Sequence, residues 1–154
     1  MTKEYGITYN TIMKPPRIII DSNVLVSALR SKRGASYRLL TLLDSGLYEP
    51  VVSVSLVLEY ESAAKRLLGQ TRLTMRDVDA IIDFICAVAV PARVFYLWRP
   101  FLKDPKDDMV LEAAVAAGCS HLVTFNTRDF VGARRFGVQI VTPQAMLAEI
   151  GVKS

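Results

Sequence analysis

Histidine occurs once in these 154 residues and cysteine twice, a scarcity that excludes much chemistry. A zinc site draws on four Cys or His ligands, yet His121, Cys86 and Cys119 are scattered, without a CxxC pair. A nucleophilic triad fares no better, with no GxSxG turn and a single imidazole. The two cysteines lie far apart in apolar settings and read as buried, reduced thiols. No apolar run approaches the roughly 20 residues that span a bilayer. The opening "MTKEYGITYNTIMKPPR" also lacks the apolar centre of a signal peptide, so a cytoplasmic location is expected. Internal repeats and low-complexity segments are absent too.

What is present is an ordinary globular composition. Half of the chain is hydrophobic, enough for one domain with a full core. The net charge of +4 is compatible with a nucleic acid or another acidic partner. Residues 1–16 form a polar extension ending in Pro15-Pro16, with Met13 as an alternative start, and the folded pattern occupies residues 17–150. "RIIID" reads as a buried strand, followed by helices over "NVLVSALR" and "ASYRLLTLLDSG", the second ending at a glycine. "YEPVVS" is a strand, and Ser53 caps the helix "SLVLEYESAAKRLLG". Thr74 opens the helix "TMRDVDAIIDFICAVAV". "ARVFYLW" is expected as a strand, and a helix runs from about Lys106 to Ala117. "HLVTF" and "VQIV" are strands, and Pro143 opens a closing helix. This alternation implies an α/β fold with a parallel sheet between layers of helices.

The stretch "DPKDDMVLEAAVAAG" crowds three aspartates at the mouth of an alanine-rich helix. Capping and the helix macrodipole alone account for acids at such a position. In a parallel sheet, however, strand carboxyl ends and the helix N-termini that follow them share one edge. Asp21 ends the first strand, Glu59 and Glu61 lie on the helix after the second, and Asn126 and Asp129 follow "HLVTF". Together with Asp104, Asp107 and Asp108 they bring acids from four segments toward one edge. Carboxylates so gathered raise one another's pKa and call for a compensating cation. Oxygen donors suit Mg²⁺ or Mn²⁺. The reaction class that follows is phosphodiester hydrolysis, with one ion or with two about 3.5–4 Å apart.

The segments "IIIDSNVLVSAL", "VSVSLVLEYE", "DPKDDMVLEAAVAAG", "LVTFNTRDF" and "FGVQIVTPQAML" together resemble the PIN-domain family of metal-dependent ribonucleases. They run in family order from Arg17 to Leu147. "LEYE" and "VTFNTRDF" resemble its VapC-like branch of toxin components from toxin–antitoxin systems. The resemblance implies a three-layer α/β/α fold. It makes Asp21 the first acid, selects Glu59 over Glu61, and makes Asp107 the third acid, with Asp108 as the near alternative and a further expected metal ligand. At the fourth position this chain departs from the family, having Asn126 where many relatives have aspartate, with Asp129 one residue later than usual. Asn126 offers a carbonyl oxygen without charge. Ser22 and Asn23 are implied to order Asp21, and Thr124 to donate toward the acids. A homodimer held inactive by a small antitoxin is implied as well.

The expected function is therefore a Mg²⁺- or Mn²⁺-dependent endoribonuclease. Asp21, Glu59, Asp107 and Asp129 would carry the chemistry, and Arg30, Lys32 and Arg128 would steer the RNA backbone. The competing expectation is a catalytically weak RNA- or protein-binding module, favoured by Asn126. A phosphoacceptor receiver domain is set aside, because no aspartate follows "YEPVVS" and no lysine follows "HLVTFN".

Overall fold

The computed structural model describes residues 14–94 and 101–153. Strand β1 (Arg17–Ile20) leads into α1 (Ser22–Arg30) and α2 (Ala35–Leu40), then β2 (Glu49–Val52), α3 (Val54–Lys65) and α4 (Met75–Val88). A short β3 (Val90–Pro91) precedes α5 (Pro105–Ala116) and β4 (His121–Val123). Two 3₁₀ turns, Thr127–Phe130 and Ala133–Phe136, connect to β5 (Gln139–Val141) and α6 (Pro143–Glu149). All pairings are parallel, in the order β3-β2-β1-β4-β5.

The order follows from the residues. Ile18, Ile19 and Ile20 are buried on both sides, as in a strand covered by helices on each face. They align with Pro50 and Val51 on one flank and with His121, Leu122 and Val123 on the other. The chain first builds leftward from β1 to β3, then crosses back to β4. With right-handed crossovers, that reversal puts α5 on the face opposite α1 to α4. The reversal also opens a crevice between the carboxyl ends of β1 and β4, where ligands bind in open parallel sheets.

Helix starts match their capping residues. Ser53 accepts from the Leu56 N–H, and Thr74 forms a reciprocal capping box with Asp77. Thr142 caps α6 ahead of Pro143.

Other boundaries depart from expectation. Helix α2 stops at Leu40, well before Gly46, because the Thr41 and Ser45 hydroxyls turn back to the Arg38 and Leu42 carbonyls at 2.7 Å each. Helix α4 stops at Val88, since Val90 precedes a proline and is steered to extended geometry. The expected strand "ARVFYLW" does not form where it was expected: β3 is confined to Val90–Pro91, Ala92–Val94 carry no strand, and Phe95–Trp98 lies outside the described residues, as does Met13. Cys119 is buried, and burial pushes its thiol up to about 12. Cys86 is exposed, contrary to expectation. It follows the buried Ile85 by one residue, which rotates it about 100° round the helix toward water.

Candidate active site

Asp21 ends β1 and caps α1, its Oδ1 accepting from the Ser22 N–H at 2.8 Å. Capping is thus one of its roles. Its other oxygen, Oδ2, accepts from the Thr124 hydroxyl at 2.8 Å. That hydroxyl in turn accepts from Asn23 Nδ2 at 3.2 Å and from the Asn126 N–H at 3.0 Å. Thr124 is wholly buried, with its single proton committed to Asp21. The buried Tyr60 donates to the carbonyl of Ile20, fixing the backbone just before the acid. Burial raises the Asp21 pKa, the two hydrogen bonds oppose this, and Glu59 and Asp129 add to the rise.

Glu59 faces the same cleft from α3, accepting from the Ser22 hydroxyl at 3.3 Å. Ser22 thereby joins two acids, one through its N–H and one through its side chain. Glu61 turns away and pairs with Lys65 at 3.5 Å. Two cations approach Glu59 as well, Lys106 Nζ at 3.8 Å from Oε1 and Arg66 at 3.7 Å from Oε2.

The three aspartates at the mouth of α5 divide their tasks. Asp104 is the N-cap, accepting from the Lys106 N–H at 2.9 Å, with Pro105 in the first helical position. Asp108 is buried, and its Oδ1 accepts from the Phe101 and Leu102 N–H groups at 3.2 and 2.8 Å. It tethers the incoming loop and lines neither cavity described below. Asp107 has no such partner among these bonds. Desolvation, then the charges of Asp21, Asp104, Asp129 and Asp108, raise its pKa to about 6.

Two cavities meet at Asp104 and Asp107. One, of about 120 Å³, is lined by Asp21, Ser22, Asn23, Glu59, Lys106 and Asn126. The other, of about 580 Å³, runs along Phe101 to Lys103 and past Arg128, Asp129 and Val131. Of the expected RNA-binding residues, Arg128 lines this larger groove. Arg30 lies at the opposite end of α1 from Ser22, roughly 12 Å of helical rise away, and Lys32 is in the exposed turn beyond it. The structure puts Lys106 and Arg66 beside the acids instead. The sequence held a signal for both: Lys106 sits inside "DPKDD", and Arg66 follows Glu59 by seven residues, two helical turns along one face.

The sole imidazole takes no part. His121 lies at the start of β4, on the other sheet edge, between Ser120 Oγ at 2.7 Å and Glu149 Oε1 at 2.9 Å. The oxygen donors at the cleft suit a hard divalent cation, and such an ion would offset first the burial and then the neighbouring negative charges that raise the Asp21 and Asp107 pKa values. Among the described residues, no three Asp, Glu, His or Cys side chains are close enough to hold an ion as they stand.

A family model described as "PIN domain" matches residues 17–128. No curated protein matches the chain. Among solved structures, VapBC2 from Rickettsia felis, bound to a DNA fragment from their promoter, superposes with a TM-score of 0.53. The match has 13% identity and covers 80% of this chain and 96% of that one, a likeness of fold.

Proposed function

The chain belongs to the PIN-domain family, and from that premise we propose that it is a divalent-metal-dependent endoribonuclease that hydrolyses RNA phosphodiester bonds. The observation that carries this reading is the meeting of Asp21, Glu59 and Asp107 around one cleft at the β1–β4 crevice, with Asp129 near enough to raise both aspartates. A Mg²⁺ or Mn²⁺ ion bound there supplies Lewis-acid stabilisation of phosphoryl charge and a lowered pKa for water. Asp21, Glu59, Asp107 and Asp129 would hold it, with Asn126 contributing its carbonyl oxygen.

The protein's own part is preorganisation. Thr124 and Ser22 fix both Asp21 oxygens, and Asn23 locks Thr124 in turn. Arg128, in the larger groove, draws the phosphate backbone toward the acids. The same reading makes the chain the toxin of a type II toxin–antitoxin pair in the cytoplasm, a homodimer bound by a small antitoxin. Support for that part is the resemblance of "LEYE" and "VTFNTRDF" to the toxin branch and the fold shared with VapBC2. Among the described residues, no helix is long and apolar enough to cross a membrane.

A second reading, a PIN-fold module that binds RNA or protein without cutting, is favoured by the uncharged Asn126 and the spread of the carboxylates. One experiment separates the two. Purified protein and Asp21→Asn are incubated with a panel of RNAs in Mn²⁺, Mg²⁺ or EDTA. Cutting that requires metal and disappears in the variant supports the nuclease. Absence of cutting, together with no calorimetric Mn²⁺ binding, supports the module.

A further inference from the structure

Within the cleft, Glu59 differs from the other acids because both its oxygens already face cations: Lys106 at Oε1, and Arg66 at Oε2 beside the Ser22 hydroxyl. Of the two cations, Lys106 lines the small cavity together with Asp21, Asp107 and Asn126, whereas Arg66 does not. Lys106 reaches the cavity from the first turn of α5, between the capping Asp104 and the perturbed Asp107. Its side chain is 65% exposed, so the ammonium is free to move on its flexible stem, and at 3.8 Å the pair is weak. A divalent ion drawing Glu59 inward would compete with Lys106 for the same oxygen. The displaced ammonium would then stand at the mouth of the cleft, where an RNA phosphate must approach.

Resting on the nuclease reading above, we propose that Lys106 is a cation with two positions: it neutralises Glu59 while the cleft is free of metal, and it contacts a phosphate oxygen of the RNA once metal takes Glu59. The metal and the substrate contact are thereby linked, because the first releases the side chain that makes the second. Lys106 also contributes positive charge that a second ion would otherwise bring, at a site whose fourth position is the neutral Asn126.

The test uses Lys106→Met, which keeps the apolar stem and removes the charge, and Lys106→Arg, which keeps the charge. Lys65→Met serves as control, since Lys65 is also paired with a glutamate on α3 but lies outside both cavities. Mn²⁺ affinity is measured by calorimetry without RNA, and RNA affinity by fluorescence anisotropy in EDTA, using a single-stranded oligonucleotide. The kcat/KM for cleavage of that oligonucleotide is then followed in Mn²⁺ against salt. In Lys106→Met, Mn²⁺ binding should tighten about threefold or more through loss of the competing charge. RNA affinity in EDTA should stay within about twofold, because Lys106 is then engaged with Glu59. The kcat/KM should fall about tenfold, the scale of one charged hydrogen bond, with a salt slope shallower by about one unit. Lys106→Arg should recover most of the kcat/KM, and Lys65→Met should match the parent throughout.

Unchanged Mn²⁺ affinity in Lys106→Met, or a loss of RNA affinity in EDTA as large as the loss of kcat/KM in Mn²⁺, overturns the proposal and leaves the nuclease reading intact. A parent that neither binds Mn²⁺ nor cleaves overturns both.

Discussion

The Thr124 hydroxyl donates to Asp21 Oδ2 at 2.8 Å while accepting from Asn23 and from the Asn126 backbone, so one buried side chain joins the ends of β1 and β4. Thr124→Val is nearly isosteric but removes the donor and the acceptor together. It should cost about 1–3 kcal/mol in denaturant unfolding, because a buried carboxylate and an N–H lose partners. Metal-dependent cleavage should fall more than tenfold, and Thr124→Ser should retain most of it. Full activity in Thr124→Val would remove this hub from the mechanism.

Asp107 gives the metal-free protein a distinctive pH dependence. Its folded pKa of about 6 lies above the ordinary 3.8, so between these values the native state binds more protons than the unfolded chain. Its contribution to stability is therefore fully present at low pH and is lost as pH rises through about 6. In EDTA, Asp107→Asn should flatten this decline and melt higher than the parent at pH 7.5. Mn²⁺ should restore the parent at pH 7.5 and leave the variant little changed. Urea or thermal melts at several pH values decide it, and a variant less stable than the parent at pH 7.5 contradicts the assignment.

Asp108 should behave in the opposite sense, although it is the next residue. Two backbone N–H groups depend on it, so Asp108→Ala should lose about 1–3 kcal/mol of stability. Mn²⁺ affinity measured below the melting transition should stay within about threefold of the parent, a residual shift expected from its charge on Asp107. Calorimetry on the folded variant separates the tether from the ligand.

Gly132 has φ of +89°, and a Cβ placed there would lie 3.2 Å from the Phe101 ring. Gly132→Ala therefore combines an unfavourable backbone with a tight contact from which the Phe101 ring must give way slightly, and about 1–3 kcal/mol of destabilisation is expected. Phe101 also carries the Arg135 guanidinium, 5.3 Å from its ring centre, and packs edge-on against Phe136. Near-ultraviolet circular dichroism should report loosening of this cluster alongside the fall in melting temperature.

Local signals were legible in the sequence where the chemistry is local. "RIIID" announced a strand buried on both faces, and Ser53, Thr74 and Pro143 marked helix starts that the fold uses. The acids of "DPKDD" could not be sorted by spacing, because their roles depend on distant partners. Asp108 turns to the loop backbone, and Asp107 faces carboxylates on other segments. Resemblance separated Glu59 from Glu61 before geometry did. Lys106 inside "DPKDD" and Arg66 seven residues after Glu59 were passed over, because such spacing does not say which acid a long flexible cation reaches, while Arg30 and Lys32 lie at and beyond the end of α1, away from the cleft. Cys86 illustrates the same limit in one helix turn, since an apolar neighbourhood in sequence is not a buried face.

The N–H of Asp21 donates to the Val123 carbonyl at 2.9 Å, directly beside the Ile18–Ile20 core. The first acid is thus bonded by its backbone into the two central strands. Native-state hydrogen exchange should find the Asp21 amide among the slowest, exchanging only through global unfolding. Asn126 and Asp129 cap and occupy a short, mostly exposed 3₁₀ turn, and the same experiment should find that turn opening at lower cost than the sheet. Warming would then dismantle the site in order, releasing the Asn126–Asp129 corner while Asp21 stays in place, so that activity is lost at a lower temperature than the fold.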